Sequence, residues 1–299
     1  MLRQLINNMP TAIVRLCEVK DNGEVNESLP IALPISDHDI IVGSNKHGTF
    51  ATWNSLNPDS PVSPGFSPVG VTGLRRIYHE DERQEHIKQI SKMVISLFKN
   101  GVDALALQEV PAITERYFTP FLLELKKLSD EETINLDFEA FQTSYAQTKK
   151  PFKKGVEQGY HGFGTALLFK KNAFYLEGCS ILPHGRGSLY SLKSAKSNDT
   201  LNLININGDY NQAESLVVQI FNYLSIPNTI IAGDTNIAIA NEKIVEQLRG
   251  MHGVVVEPTT NRIDTPERSR TLDCFVTTIL TSYIYKTGSK NYANSEITG

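Results

Sequence analysis

At 299 residues with a formal net charge of −4, the chain has the length for one large α/β or double-sheet domain, 1–299. It lacks the basic excess of a protein that holds nucleic acid by blanketing its backbone, although a local basic groove is compatible with that balance. Its three scattered cysteines, Cys17, Cys179 and Cys274, form neither a disulfide framework nor a zinc cluster and are expected to be buried, reduced thiols.

In chain order, Met1 to Lys20 carries Arg3 and Arg15, and its apolar residues are interrupted too often for a signal-peptide core. No stretch approaches the roughly 20 apolar residues of a membrane span. The expectation is a cytoplasmic protein, with export by a route that reads no N-terminal apolar signal left open. Ile40 to Gly43 and Thr49 to Trp53, joined by the polar turn Ser44-Asn45-Lys46-His47-Gly48, read as a hairpin whose second strand ends on Asn54. Trp53 reads as core before it reads as a base-stacking platform. Asn57 to Gly73 is dense in Pro, Gly, Ser and Asn and reads as a long loop; Gly70-Val71-Thr72-Gly73 within it lacks the lysine of a nucleotide-binding loop.

From Glu80 to Lys99 apolar residues recur at three and four (Ile87, Ile90, Met93, Val94, Leu97, Phe98), with acids in the first turn and Gly101 beyond the end, which predicts a helix. A buried strand over Leu105 to Val110 and a helix over Pro120 to Leu128 follow. Asp130 to Tyr160 is charged and without clear period and reads as a long connection or rim insertion. Thr165 to Phe169, Thr200 to Ile206, Thr229 to Ala232 and Leu272 to Thr278 read as strands, and Ala213 to Leu224 and Glu242 to Arg249 as helices. Strands outnumber helices and helices occur singly between them. The expected fold is therefore α/β (α+β), a two-sheet sandwich flanked by helices on both sides.

Three apolar strands stop abruptly on oxygen-bearing side chains: Thr49 to Trp53 on Asn54, Ala104 to Leu107 on Gln108-Glu109, and Ile230 to Ala232 on Gly233-Asp234-Thr235-Asn236. With Asp273 as a fourth contributor, these strand ends suit hard metal ions and phosphate oxygens. Each also has a plainer reading. Asp and Asn in a Gly-Asp-x-Asn turn often bond only their own backbone, Gln108-Glu109 is an ordinary strand exit in many sheets, Asp273 has Arg268 and Arg270 to pair with, and His38 has a surface or core role open to it.

Taken in order from Phe50 to Thr278, these motifs resemble the endonuclease/exonuclease/phosphatase superfamily, the metal-dependent phosphodiesterases of deoxyribonuclease type. Thr52-Trp53-Asn54 resembles its first strand with the site asparagine, Leu107-Gln108-Glu109-Val110 its metal-binding glutamate motif, and Gly164 to Lys170 its central strand. Gly233-Asp234-Thr235-Asn236 resembles its Gly-Asp-x-Asn, and Leu272-Asp273 the aspartate that steadies its histidine. The resemblance implies a four-layer sandwich of deoxyribonuclease I type. Asn205-Ile206-Asn207 falls where many members have Asn-x-His; Asn207 keeps a donor for a phosphate oxygen and loses the titratable group. The closing Ser-Asp-His is missing from the C-terminus, where Tyr292-Ala293-Asn294-Ser295-Glu296 holds no histidine. It occurs instead as Ser36-Asp37-His38, ahead of the apolar run Ile40-Ile41-Val42. That order implies a circular permutant, opened between Asp273 and the displaced triplet, a rearrangement made cheap by the closeness of domain termini.

The resemblance implies Mg²⁺ (or Mn²⁺) bound by Glu109 with Asn54 assisting and Asp37 bearing on the metal shell. Asp234 would orient or deprotonate the attacking water, Asn236 and Asn207 would hold the phosphate, and His38, steadied by Asp273, would donate to the phosphoryl centre. Lys153 and Lys154, in the basic, aromatic-interleaved Lys149 to Lys154, and Arg186, in His184-Gly185-Arg186-Gly187, are candidate phosphate contacts, with a solvated loop and a turn as their alternatives. The expected partner is a phosphoester substrate, nucleic acid among the candidates, and no feature points to a protein partner. A non-catalytic binding scaffold on the same fold is the rival expectation, and a lipid or inositol phosphatase another; substrate class is not written in the chain.

Overall fold

The computed structural model describes residues 11–14, 16–19, 25–27, 31–36, 38–55, 74–76, 80–110, 118–142, 164–182, 187–208, 218–219, 222–236, 273–279 and 281–286. Short strands open the chain: β1 (Thr11–Val14), β2 (Leu16–Val19), β3 (Val25–Glu27) and β4 (Ile31–Pro34). They are followed by β5 (Ile41–Asn45), β6 (Gly48–Asn54), β7 (Leu74–Arg76) and helix α1 (Glu80–Lys99), then β8 (Ala104–Val110), helix α2 (Phe118–Glu131), β9 (Leu136–Gln142) and β10 (Gly164–Lys170). The remainder is β11 (Phe174–Ile181), β12 (Gly187–Ser194), β13 (Thr200–Asn207), β14 (Thr229–Asp234), β15 (Asp273–Thr277) and β16 (Thr281–Lys286).

Two mixed sheets face each other. One has the order β16-β5-β6-β8-β10-β9 and the other β11-β12-β13-β14-β15; β1-β4 and β3-β2-β7 form small sheets of their own. Among the described strands of the large sheets, β6 with β8 and β13 with β14 run parallel and the other pairs antiparallel. Parallel neighbours need a crossover, and α1 lies in the connection between β6 and β8.

Strand alternation builds two cores from the first sheet. Ile41, Phe50, Ala104, Ala106, Leu167 and Phe169 point inward onto Tyr190, Leu192, Leu201, Leu203, Ile230, Ala232 and Phe275 of the second sheet. Val42, Ala51, Trp53, Leu105, Leu107 and Leu168 point outward beneath Ile87, Ile90, Val94, Leu97 and Phe98 of α1 and Phe121 and Leu125 of α2. With both faces covered, these central strands read as unbroken apolar runs, and every residue of β14 is buried. Trp53 is fully buried core.

Helix α1 begins with Glu80, Asp81 and Glu82 at its positive end and has Lys99 in its last turn. It stops at Gly101, whose φ of 102° lets the Gly101 amide reach the Phe98 carbonyl and the Val102 amide that of Leu97. These paired bonds satisfy the last carbonyls and turn the chain into β8.

The structure departs from the sequence expectation in several places. Asp130 to Tyr160 is not all connection: α2 continues to Glu131, and Leu136–Gln142 forms β9, paired along its length with β10. Its alternation is too brief to stand out alone, and the neighbouring strand supplies the pairing. Strands β11, β12 and β16 were also unread. Most of β11 is solvent-facing, so it carries little apolar signal, and Cys179 within it is exposed rather than buried. Among the described residues the two helices longer than ten residues pack on the first sheet; the described residues of the expected Ala213–Leu224 helix, 218–219 and 222–224, are helical, and Glu242 to Arg249 lies outside the described residues. Among the described residues no helix is long and apolar enough to cross a membrane.

Candidate active site

Strands β6, β8, β13 and β14 all end at the same rim of the sandwich. In the first sheet Asn54 lies opposite Gln108, and in the second Asn207 lies opposite Asp234. On the other side of β14, Asp273 is the residue paired with Asp234, so Asn207, Asp234 and Asp273 stand abreast on three adjacent strands.

Glu109 reaches this rim through a backbone irregularity. Thr165 pairs with Gln108 and Gly164 with Val110, so Glu109 is the extra residue of a bulge, and its φ of 54° lies in the left-handed region. A bulge re-aims the side chain it carries. Here the half-buried Glu109 meets the fully buried Asn54, whose Nδ2 donates to Glu109 Oε1 at 3.1 Å and to Asp234 Oδ2 at 3.0 Å. One amide thus joins a carboxylate from each sheet.

Asp234 is held from several directions. Its Oδ2 also accepts from Asn236 Nδ2 at 3.0 Å, and its Oδ1 accepts from the Asn236 backbone N–H at 2.9 Å. Asn236 has a φ of 52° and donates through the same Nδ2 to the Gly208 carbonyl at 3.1 Å, while the Gly208 amide donates to the Asp234 carbonyl. The turn therefore bonds its own backbone, as the plain reading of Gly-Asp-x-Asn expects, and also presents Asp234 to the opposite sheet. Gly233 is required where it stands: a Cβ on its backbone would lie 2.1 Å from the Ile206 carbonyl oxygen, at a φ of 137°.

The segment before β5 joins from outside the sheets. Ser36 Oγ donates to the Asn54 carbonyl at 2.7 Å and accepts from the His38 backbone N–H at 3.0 Å, and His38 is buried. Strand β5 then pairs antiparallel with β6, Ile41 opposite Thr52, as the hairpin reading expects.

Of the residues singled out from sequence, Asn54, Glu109, Asp234 and Asn236 are linked by hydrogen bonds, Asn207 is on the neighbouring strand end, and the His38 backbone is tied to the Asn54 carbonyl through Ser36 Oγ. Asp273 is adjacent by backbone register. Asp37, Lys153, Lys154 and Arg186 lie outside the described residues. Several contributors had no role assigned from sequence: Ser36, Gly208, and the buried amides Gln108 and Asn205.

No protein-family model and no curated protein sequence matches the chain. Solved structures similar to it include the endonuclease/exonuclease/phosphatase from Bacteroides vulgatus (12% identity, 80% of this chain and 87% of that one, TM-score 0.46). Others are the human Nocturnin catalytic domain with bound sulfate (16%, 79% and 84%, 0.47) and the Bacteroides thetaiotaomicron mannosyl-6-phosphatase (15%, 76% and 84%, 0.44).

Proposed function

We propose that this chain is a divalent-metal-dependent phosphoester hydrolase acting at the rim formed by Asn54, Glu109, Asn207, Asp234 and Asn236. The observation that carries the reading is the double bond of Asn54, which gathers Glu109 of one sheet and Asp234 of the other at a single nitrogen. Two carboxylates facing each other through one amide suit a hard cation. Mg²⁺ takes one or two carboxylates and fills its remaining positions with water and substrate oxygens. Among the described residues no cluster of three or more His, Cys, Asp or Glu forms, so the donor set here is two carboxylates and a carboxamide, within the range Mg²⁺ or Mn²⁺ accepts.

Glu109 and Asn54 would hold the cation, with Asp37 near its shell; when bound, the ion masks the negative charge of the phosphate oxygens. Asp234, fixed by three donors, orients the attacking water and takes its proton. Asn236 and Asn207 offer neutral N–H groups to the phosphoryl oxygens, where charge grows in the transition state. His38 approaches from the β5 side to donate to the phosphoryl centre, with Asp273 steadying it. Lys153, Lys154 and Arg186 are the proposed phosphate contacts of the substrate, which is a phosphoester and includes nucleic acid among its candidates. The same reading takes the chain as a circular permutant; the Ser36–Asn54 bond and the pairing of β5 with β6 support it, since they bring the displaced triplet to the site from the amino end.

The test is hydrolysis of a panel of phosphodiesters and phosphomonoesters with Mg²⁺, with Mn²⁺ and with chelator. Wild type is expected to be active only with metal, and Asp234→Ala to lose about 10²–10³-fold or more. Wild-type protein inert toward nucleic acid, phosphoinositide and phosphocholine substrates alike refutes the proposal.

A further inference from the structure

Directly behind the rim, the apolar core between the sheets is interrupted by one polar layer. Gln108 and Thr165 are cross-strand partners in the first sheet, and Asn205 and Ser188 are cross-strand partners in the second. The two pairs face each other, and all four residues are fully buried. Gln108 Nε2 donates to Asn205 Oδ1 at 2.7 Å and to Thr52 Oγ1 at 3.1 Å. Thr165 Oγ1 and Ser188 Oγ share a bond of 3.0 Å. Asn205 Nδ2 crosses the gap to donate to the main-chain carbonyls of Leu107 and Ala166, each at 3.0 Å. Those two residues are themselves a register pair of β8 and β10.

The position of this layer matters. The bulge that turns Glu109 toward Asn54 begins at the Gln108–Thr165 pair, and Asn205 lies two residues before Asn207 on the strand that flanks Asp234. Apolar packing is non-directional and tolerates small slides of one sheet over the other. Hydrogen bonds across the gap do not: a shift along the strands breaks them and leaves buried amides unpaired, at a cost larger than their net worth.

We propose, building on the hydrolase reading, that Gln108 and Asn205 are positioning residues. Their inter-sheet bonds fix the bulge at Glu109 and the offset of the two sheets, and so set the distance between the Glu109 and Asp234 carboxylates at which a divalent cation is held. Fold stability alone does not call for them, since apolar residues of similar volume would fill the same space and need no partners.

The experiment compares wild type with the double variant Gln108→Met/Asn205→Leu, which removes both amides and leaves neither orphaned. Mn²⁺ affinity is measured by titration calorimetry beside thermal unfolding in chelator. Leu192→Ala, in the same inter-sheet core but away from the rim, serves as a packing control. The double variant is expected to unfold near the wild-type temperature while binding Mn²⁺ about 10–100-fold more weakly, as for lost supports of metal ligands. Leu192→Ala is expected to lose thermal stability and keep its affinity. A folded double variant with wild-type affinity overturns this inference and leaves the hydrolase reading standing; wild type that binds no Mn²⁺ ends both. Should the double variant not fold, Thr52→Val, which removes one hydroxyl from the same network, decides the matter: a weaker loss of affinity in the same direction supports the proposal, and unchanged affinity overturns it.

Discussion

Glu109 combines a strained backbone with a proposed metal ligand, and the two can be separated by substitution. A non-glycine residue in the left-handed region costs about 1–2 kcal/mol, and Glu109 sits there at a φ of 54°. At an ordinary strand position Gly is less stable than Ala by roughly 0.5–1 kcal/mol, because glycine loses more freedom on folding. At position 109 the order should invert. Both Glu109→Ala and Glu109→Gly delete the carboxylate and its bond from Asn54, so their difference isolates the backbone; Glu109→Gly is expected to be the more stable by about 1 kcal/mol. For a chain of this size that is a gap of about 1.5 °C in Tm. Thermal and urea unfolding in chelator would read it. Addition of Mn²⁺ at about 100 times its Kd should then raise wild-type stability by about 2.7 kcal/mol and leave both variants unmoved. Glu109→Ala as stable as Glu109→Gly would show that residue 109 does not occupy the left-handed bulge, and the account of how the carboxylate is aimed would fail with it.

Other expectations concern the surroundings of the site and the far end of the sandwich. Gly233→Ala places a Cβ against the Ile206 carbonyl and should cost on the order of 3 kcal/mol by chemical denaturation, with loss of activity; a variant of unchanged stability would contradict the close approach of β13 and β14. Ser36→Ala removes the link between the His38 segment and Asn54, so unfolding should come about 1–3 kcal/mol more easily, and kcat should fall by more than a remote core variant of equal stability shows. At the other end of β6, His47 is buried with its Nδ1 2.7 Å from Ser197 Oγ. Burial, and then the charge of Lys46, hold its imidazole below the ordinary 6.5 against the opposing pull of Asp199. The unfolded chain therefore takes up this proton at higher pH than the folded one. The stability linked to it is complete above about pH 6.5 and drains away as pH falls through that value toward the lower folded pKa. Urea midpoints for wild type and His47→Gln should converge or cross as pH falls from 8 to 5, and a constant separation would rule out this histidine as a source of pH dependence.

The chain's order of apolar runs and their abrupt polar ends was enough to read β6, β8, β10, β13 and β14, helix α1, and the side chains that terminate those strands. The reason is physical. Central strands covered on both faces must be continuous apolar runs, and a polar residue that ends one is released at the rim, where it meets solvent or a ligand. Edge elements escaped for the converse reason: β9 and β11 draw their order from a neighbouring strand more than from their own composition. The exposure of Cys179 follows from its place on one of those edges. Nor does spacing along the chain reveal a bulge, so the left-handed turn at Glu109 and the amide layer of Gln108 and Asn205 became visible only once β8, β10 and β13 were stacked. What the sequence determined by itself was which oxygen-bearing side chains stand at strand ends. That Asn54 would hold Glu109 and Asp234 together was decided by tertiary structure: the residues are separated by 55 and 180 positions along the chain, and it takes the pairing of β6 with β8 to bring up Glu109 and the packing of one sheet on the other to bring up Asp234.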